Sequence, residues 1–274
     1  MPFSRPQPVV PIEVPDICRI FVDDSNTWIE GQKLAASGSL HLPKLIDAEQ
    51  DPRFRLHMDH LVEKLLNNRQ KGPSFRYGSQ PAPGDTSKKS RNKYHLETKV
   101  FERSHGKEKQ VDIAMAADIA FLAAELDTGA RYDPRIKTQK RRTVFVVVTG
   151  DCDLLPSIEG ALDRGIRVEL WAWSSNLSRK YIALENQHST LSVRHLDPFA
   201  KEISFLKYKS TWKTIDPAHA VVLEQKNASL LPSDIEGSIT ETLKDRHRLF
   251  YITKLRSAPQ NFAVEFPGSK TSTL

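Results

Sequence analysis

With 274 residues, 39% of them hydrophobic, the chain is long enough to bury one large core or a core with an appendage. Its formal charge of +6 and pI near 9.2 favour a polyanionic partner. No apolar run approaches the roughly 18 residues of a membrane span, the opening MPFSRPQPVVPIEVP lacks a signal-peptide core, and two cysteines make no disulfide framework. An intracellular protein, cytoplasmic or nuclear and without a membrane partner, is expected.

Residues 1–16 hold five prolines and no periodicity, which predicts an extended tail. Ile17 to Val22 is short, apolar and stopped by the turn DDSN, as in a buried parallel strand. A short helix over Trp28 to Ala36 follows, then a firmer one starting at Asp51, with Pro52 at its first position and Leu56, Leu61, Leu65 and Leu66 on its apolar face. SFRYGS and YHLETKVFER read as strands on either side of a loop, QPAPGDTSKKSRNK. VDIAMAADIAFLAAEL is a strong helix with Ile113, Met115, Ala116, Ile119, Leu122 and Ala123 on its apolar face. After the basic KTQKRR come the strand TVFVVV, the turn TGDCD, a helix from about Leu155 to Arg164 and a stop at Gly165. IRVELWAW is the next strand, Leu177 to Glu185 a weaker helix, and SVRHLD a last short strand. The alternation predicts a doubly wound sheet of about five strands. Beyond Pro198, a helix near Ser233 to Asp245 and a hairpin of HRLFYITKL with NFAVEF across RSAPQ form a separate α+β appendage spanning 198–274.

Four acids fall at the ends of these runs: Asp23 after the first strand, Asp112 at the start of the long helix, and Asp151 and Asp153 in the GDCD turn. In an open α/β sheet the crevice outside the strand C-termini brings such residues together. Clustered carboxylates repel unless a proton or cation resolves the repulsion, and hard oxygen ligands suit Mg²⁺ or Mn²⁺. Asp112 is also favoured by the helix dipole alone. Cys152, inside GDCD, reads as a small filler rather than a nucleophile, since carboxylates surround its sulfur. Trp171 and Trp173 alternate along a strand and are expected to face core helices, leaving Trp28 as the better base-stacking candidate.

The segment from Arg69 to Lys109 carries eleven Lys and Arg against four acids, interleaved with Phe75, Tyr77, Tyr94 and Phe101. That mixture suits single-stranded nucleic acid through phosphate pairing and base stacking, or equally a solvated excursion with packed aromatics. Lys88, Lys89 and Arg91 in a basic loop around 79–93, with Lys140, Arg141 and Arg142, are the candidate residues for guiding a phosphate backbone into the acidic centre.

Three of these motifs, IFVDDSN with its D-x-x-N, KEKQVDIAMAADI, and VTGDCDLLPSIEGALDRGIRVELW, resemble the NYN domain, a branch of the PIN-like nucleases, over residues 17–197. The resemblance implies a three-layer α/β/α PIN-like (Rossmann-like) domain with a mostly parallel central sheet that binds Mg²⁺ or Mn²⁺ and cleaves RNA. By it, Asp23, Asp112, Asp151 and Asp153 match the metal-binding acids and Asn26 the asparagine of the first turn. Asp118 matches a further acid of the central helix, but six residues at roughly 100° each set it off the face of Asp112, so a basic partner or solvent is the alternative. Thr149 reads as a strand residue whose hydroxyl is available to the site. The family's later helix often bears another aspartate; here Glu185 or Asn186 stands nearby.

The expected activity is therefore metal-dependent endonucleolytic hydrolysis of single-stranded RNA. The alternative is a metal-binding RNA adaptor of the same fold that does not cut, with the C-terminal extension meeting a protein partner. A dinucleotide-binding enzyme is disfavoured, because DDSN replaces the glycine-rich phosphate cradle.

Overall fold

The computed structural model describes residues 15–38, 49–51, 54–79, 94–101, 110–207, 220–224, 232–243, 251–255, 258 and 260–266. The first strand, β1, runs Ile17–Asp23 and passes directly into α1, Asp24–Ala36. This helix starts four residues before the expected Trp28, because Asp23 itself caps it by accepting from the Asn26 N–H at 3.0 Å. The expected tail through residue 16 ends sooner as well, since Asp16 pairs with Arg167 at 2.6 Å.

The helix expected from Asp51 is displaced. Asp51 is buried, Phe54–Leu56 form strand β2, and the helix α2 spans Met58–Leu66 with His57 as its cap. Leu56 thus belongs to a strand whose partner lies far along the chain, and local periodicity cannot reveal such a pairing. Next come β3 (Gln70–Lys71), β4 (Phe75–Ser79) and β5 (Glu97–Phe101), then α3 (Val111–Tyr132) and α4 (Pro134–Arg142). The intervening loop, with Lys88, Lys89 and Arg91, lies outside the described residues.

Strand β6 is Thr143–Val148, followed by α5 (Leu155–Asp163), β7 (Arg167–Ala172), α6 (Arg179–Glu185) and β8 (Leu191–His195). Gly165 stops α5 with φ of +72°, a left-handed conformation that glycine adopts without strain. The main sheet has seven strands in the order β5-β4-β1-β6-β7-β8, with β3 also on β1, and every pairing in it is parallel.

Alternation along β1 and β6 divides the core into two layers. Cys18, Ile20, Val22, Val144, Val146 and Val148 face α1 and α2, while Phe21, Phe145 and Val147 face α3, α5 and α6. The result is an α/β/α sandwich around a parallel sheet. Trp171 and Trp173 are both buried in the first layer, and Trp28 packs against it with its indole N–H on the Phe54 carbonyl. On α3 the buried face is Val111, Met115, Ile119, Ala123 and Leu126. Ile113 was expected there but is 70% exposed, since two residues turn it roughly 200° from Met115.

After β8 the chain forms α7 (Ala200–Ile203), β9 (Ser204–Lys207), β10 (Ala220–Leu223), α8 (Pro232–Leu243), β11 (Tyr251–Lys254) and β12 (Phe262–Glu265). The expected hairpin is present as the antiparallel pair β11 and β12. It belongs to a five-stranded sheet, β10-β12-β11-β9-β2, whose last strand comes from the N-terminal region. Ala200 and Ile203 are buried in the first core layer, so the chain beyond residue 197 is knitted into the sandwich through α7 and the β2–β9 pair.

Candidate metal centre

The strand order places the site. From β1 the chain builds outward through β4 to β5, returns through α3, and then builds the other way through β6, β7 and β8. The reversal falls between β1 and β6, where the two helices that follow diverge and open a crevice at the strand C-termini. Asp23 ends β1 there, and Thr149, Gly150 and Asp151 follow β6 at the same end.

Asp23 is 3% exposed. Its Oδ1 takes the Asn26 N–H at 3.0 Å and its Oδ2 the Thr149 hydroxyl at 3.2 Å, and each oxygen keeps acceptor capacity. Burial pushes its carboxyl up to about 7; the Asn26 and Thr149 hydrogen bonds oppose the shift, while the charges of Asp112 and Asp24 add to it. Asp112, half-buried in the first turn of α3, is therefore electrostatically coupled to Asp23. Asp24 turns elsewhere and pairs with Arg76 at 2.5 Å.

The loop after β6 is held by three side chains. The Thr149 hydroxyl accepts from the Asp151 N–H at 3.2 Å, Asn26 Oδ1 accepts from the Gly150 N–H at 3.1 Å, and the Tyr181 hydroxyl donates to the Asp151 carbonyl at 2.6 Å. Burial, then the charges of Asp151, Cys152 and Asp153, push the Tyr181 phenol up, so it stays protonated and donates. Asp151 caps the short turn Cys152–Leu154 by accepting from the Asp153 N–H at 3.1 Å. Among the described residues, one set of potential ligand atoms lies within 4.8 Å of one another: Asp151, Cys152 and Asp153. This group could hold a metal ion, and Asp23 and Asp112 lie outside that tight set. Asp151 and Asp153 offer carboxylate oxygens, which fit a hard cation; the thiol of Cys152 is the soft exception.

Other candidates are placed differently. Asp118 accepts from the Tyr77 hydroxyl and from Lys99 Nζ, both at 2.6 Å, so it is engaged on the α3–sheet contact. Lys140, Arg141 and Arg142 sit on α4, which enters β6 at its N-terminal end. Six residues of strand, at about 3.3 Å each, separate them by about 20 Å from Thr149, so they do not lie beside the acids. Lys140 instead pairs with Asp127 at 2.6 Å, and Arg142 donates to the Pro15 carbonyl at 2.6 Å. Glu185 accepts from the Val193 N–H at 2.8 Å, fixing α6 to β8.

Glu30, Asn176 and Ser178, which the sequence reading did not single out, also line the crevice. A cavity of about 300 Å³ beside Asp151 is bordered by Asn26, Glu30, Gly150, Cys152, Asn176 and Ser178. Glu30 lies one turn beyond Asn26 on α1, a spacing visible in the sequence, and Asn176 lies in the loop after β7, the next strand to end at this crevice. Just past Ser178, Arg179 and Lys180 are exposed.

Comparison with models of known families, with curated proteins and with solved structures returns no match. No described helix is long and apolar enough to cross a membrane.

Proposed function

We propose that the chain is a metal-dependent phosphodiesterase acting on single-stranded RNA, with Asp23, Asp112, Asp151 and Asp153 as the acids that hold Mg²⁺ or Mn²⁺. One observation carries this reading: at the point where the strand order reverses, a buried carboxylate coupled to a second acid is tied by one hydroxyl to the loop bearing two more. Burying charge in this way is unfavourable unless a cation compensates it, and the cost recurs at sites built for chemistry. It fits the resemblance to PIN-like nucleases noted in the three sequence motifs.

A divalent cation held there supplies a bound water of lowered pKa and offsets charge on the phosphate. The chain does the positioning. Thr149 keeps Asp23 in register with Asp151, Asn26 ties α1 to the Gly150 backbone, and Tyr181 anchors the loop from below. Arg179 and Lys180, exposed at the rim, replace the α4 cluster as the groups that draw a phosphate backbone to an otherwise repelling acidic centre.

The direct test is cleavage of end-labelled single-stranded RNA by the full chain in Mn²⁺, Mg²⁺ or chelator, with Asp151→Asn as the control. Metal-dependent cutting by the wild type and its loss in the folded variant are expected. RNA bound but uncut by both would replace the nuclease with the adaptor.

A further inference from the structure

The cavity beside Asp151 has a lining whose chemistry narrows what it takes. The Gly150 N–H is a donor, so the Asn26 side-chain atom facing it is oxygen; the Asn176 atom 2.9 Å from that oxygen is then nitrogen. Asn176 Oδ1 is left as a buried acceptor with no hydrogen-bond partner among the described residues. Glycine at 150 makes room for this amide, because a Cβ there would lie 2.4 Å from Asn176 Oδ1. Across the cavity, Glu30 is 14% exposed and gives one carboxylate oxygen to Lys33 at 2.6 Å. Its second oxygen is another acceptor.

The Glu30 carboxylate and the orphaned Asn176 Oδ1 call for a donor, while the Asn26 amide and the Ser178 hydroxyl bring donors of their own, so the lining suits a group that both donates and accepts. Phosphate is repelled by Glu30 and Asp151, and a nucleobase lacks a stacking face because no aromatic residue among the described ones borders the cavity. A sugar hydroxyl satisfies both constraints, being uncharged and a donor. The volume of about 300 Å³ is at the small end of ligand pockets.

We propose that this cavity reads the ribose of a nucleotide next to the acidic centre, its 2′-hydroxyl donating to Glu30 and, after a small rotation of the side chain, to Asn176 Oδ1. The proposal rests on the RNA reading above and deepens it, because the 2′-hydroxyl is the group that distinguishes RNA from DNA. Glu30 and Asn176 are thus specificity residues.

The test uses the full chain with a short fluorescent single-stranded RNA, the DNA of the same sequence, and RNAs carrying one 2′-deoxy position each, following anisotropy and cleavage in parallel. The wild type is expected to favour RNA by about tenfold, with one deoxy position reproducing most of the loss. Glu30→Ala and Asn176→Ala are expected to bring the ratio to within about twofold, and Glu30→Gln, which keeps an acceptor, to retain part of it. Should Asn176→Ala fail to fold, the Glu30 pair decides. Equal binding of RNA and DNA by the wild type would overturn the subsite, as would variants that keep the ratio but change Mn²⁺ affinity, which would mark the cavity as a cation site. A ribose preference that depends on Glu30 without cleavage would leave the subsite standing and remove the nuclease. Cleavage indifferent to the sugar would do the reverse.

Discussion

The hydroxyl of Thr149 donates to Asp23 Oδ2 over 3.2 Å, joining residues 126 positions apart. The same oxygen accepts from the Asp151 N–H at 3.2 Å. One buried side chain thereby sets the acid after β1 against the loop after β6.

Thr149→Val keeps the shape and removes both hydrogen bonds. Its expected cost is about 1–3 kcal/mol, larger at pH 8 than at pH 5, because the bond to Asp23 favours the ionised carboxylate. Urea denaturation at the two pH values checks this, and an equal loss at both would contradict it.

The raised carboxyl of Asp23 makes a second prediction. Its native value is about 7 against an ordinary 3.8, so between these values the native state binds more protons than the unfolded chain. Stability is then lost as pH rises from about 4 to 7 and is level above, by ~4 kcal/mol at most for this group. In chelator, the wild type is expected to be less stable at pH 8 than at pH 5, and Asp23→Asn to flatten the profile. Mn²⁺ is expected to stabilise the wild type more at pH 8, where the carboxylate is free of its proton.

Asp118 and Asp112 share a helix but are expected to separate in their effects. Asp118→Asn weakens the contacts with Lys99 and Tyr77, costing about 1 kcal/mol because the ion pair is partly solvated. Mn²⁺ affinity is expected to be unchanged there and reduced by Asp112→Asn, with calorimetry comparing the two. A fall in affinity for Asp118→Asn alone would reverse the assignment.

Much of this arrangement is legible in the residues. Asp23, Asp112 and Asp151 are marked by the elements they bound, and Gly165 by its place after an apolar helix. The hidden parts depend on partners distant in sequence. Phe54–Leu56 form a strand only because Ser204–Lys207 lie beside them, and Lys140–Arg142 are basic in sequence yet sit at the N-terminal end of β6, away from the acids. Glu30 was readable from its one-turn spacing to Asn26; Asn176 was not, since a single amide in a loop carries no periodic signal.

The exposed pair Arg179 and Lys180 is expected to carry phosphate contacts. Replacing both with alanine reduces the slope of log affinity against log salt for single-stranded RNA by about 1.4, for two contacts. Arg141→Ala, on the far end of the sheet, leaves the slope unchanged. A salt titration by anisotropy makes the comparison, and the opposite pattern would return the backbone path to α4.

The most direct measurement is calorimetric titration of Mn²⁺ into the wild type and Asp23→Asn at pH 6, in two buffers of different ionisation heat. Binding that releases about one proton in the wild type, and loses that release in Asp23→Asn, is the predicted result, because the ion must displace the proton held on the buried carboxyl. Absence of binding, or binding with the same proton count in both proteins, would contradict a metal centre that includes Asp23.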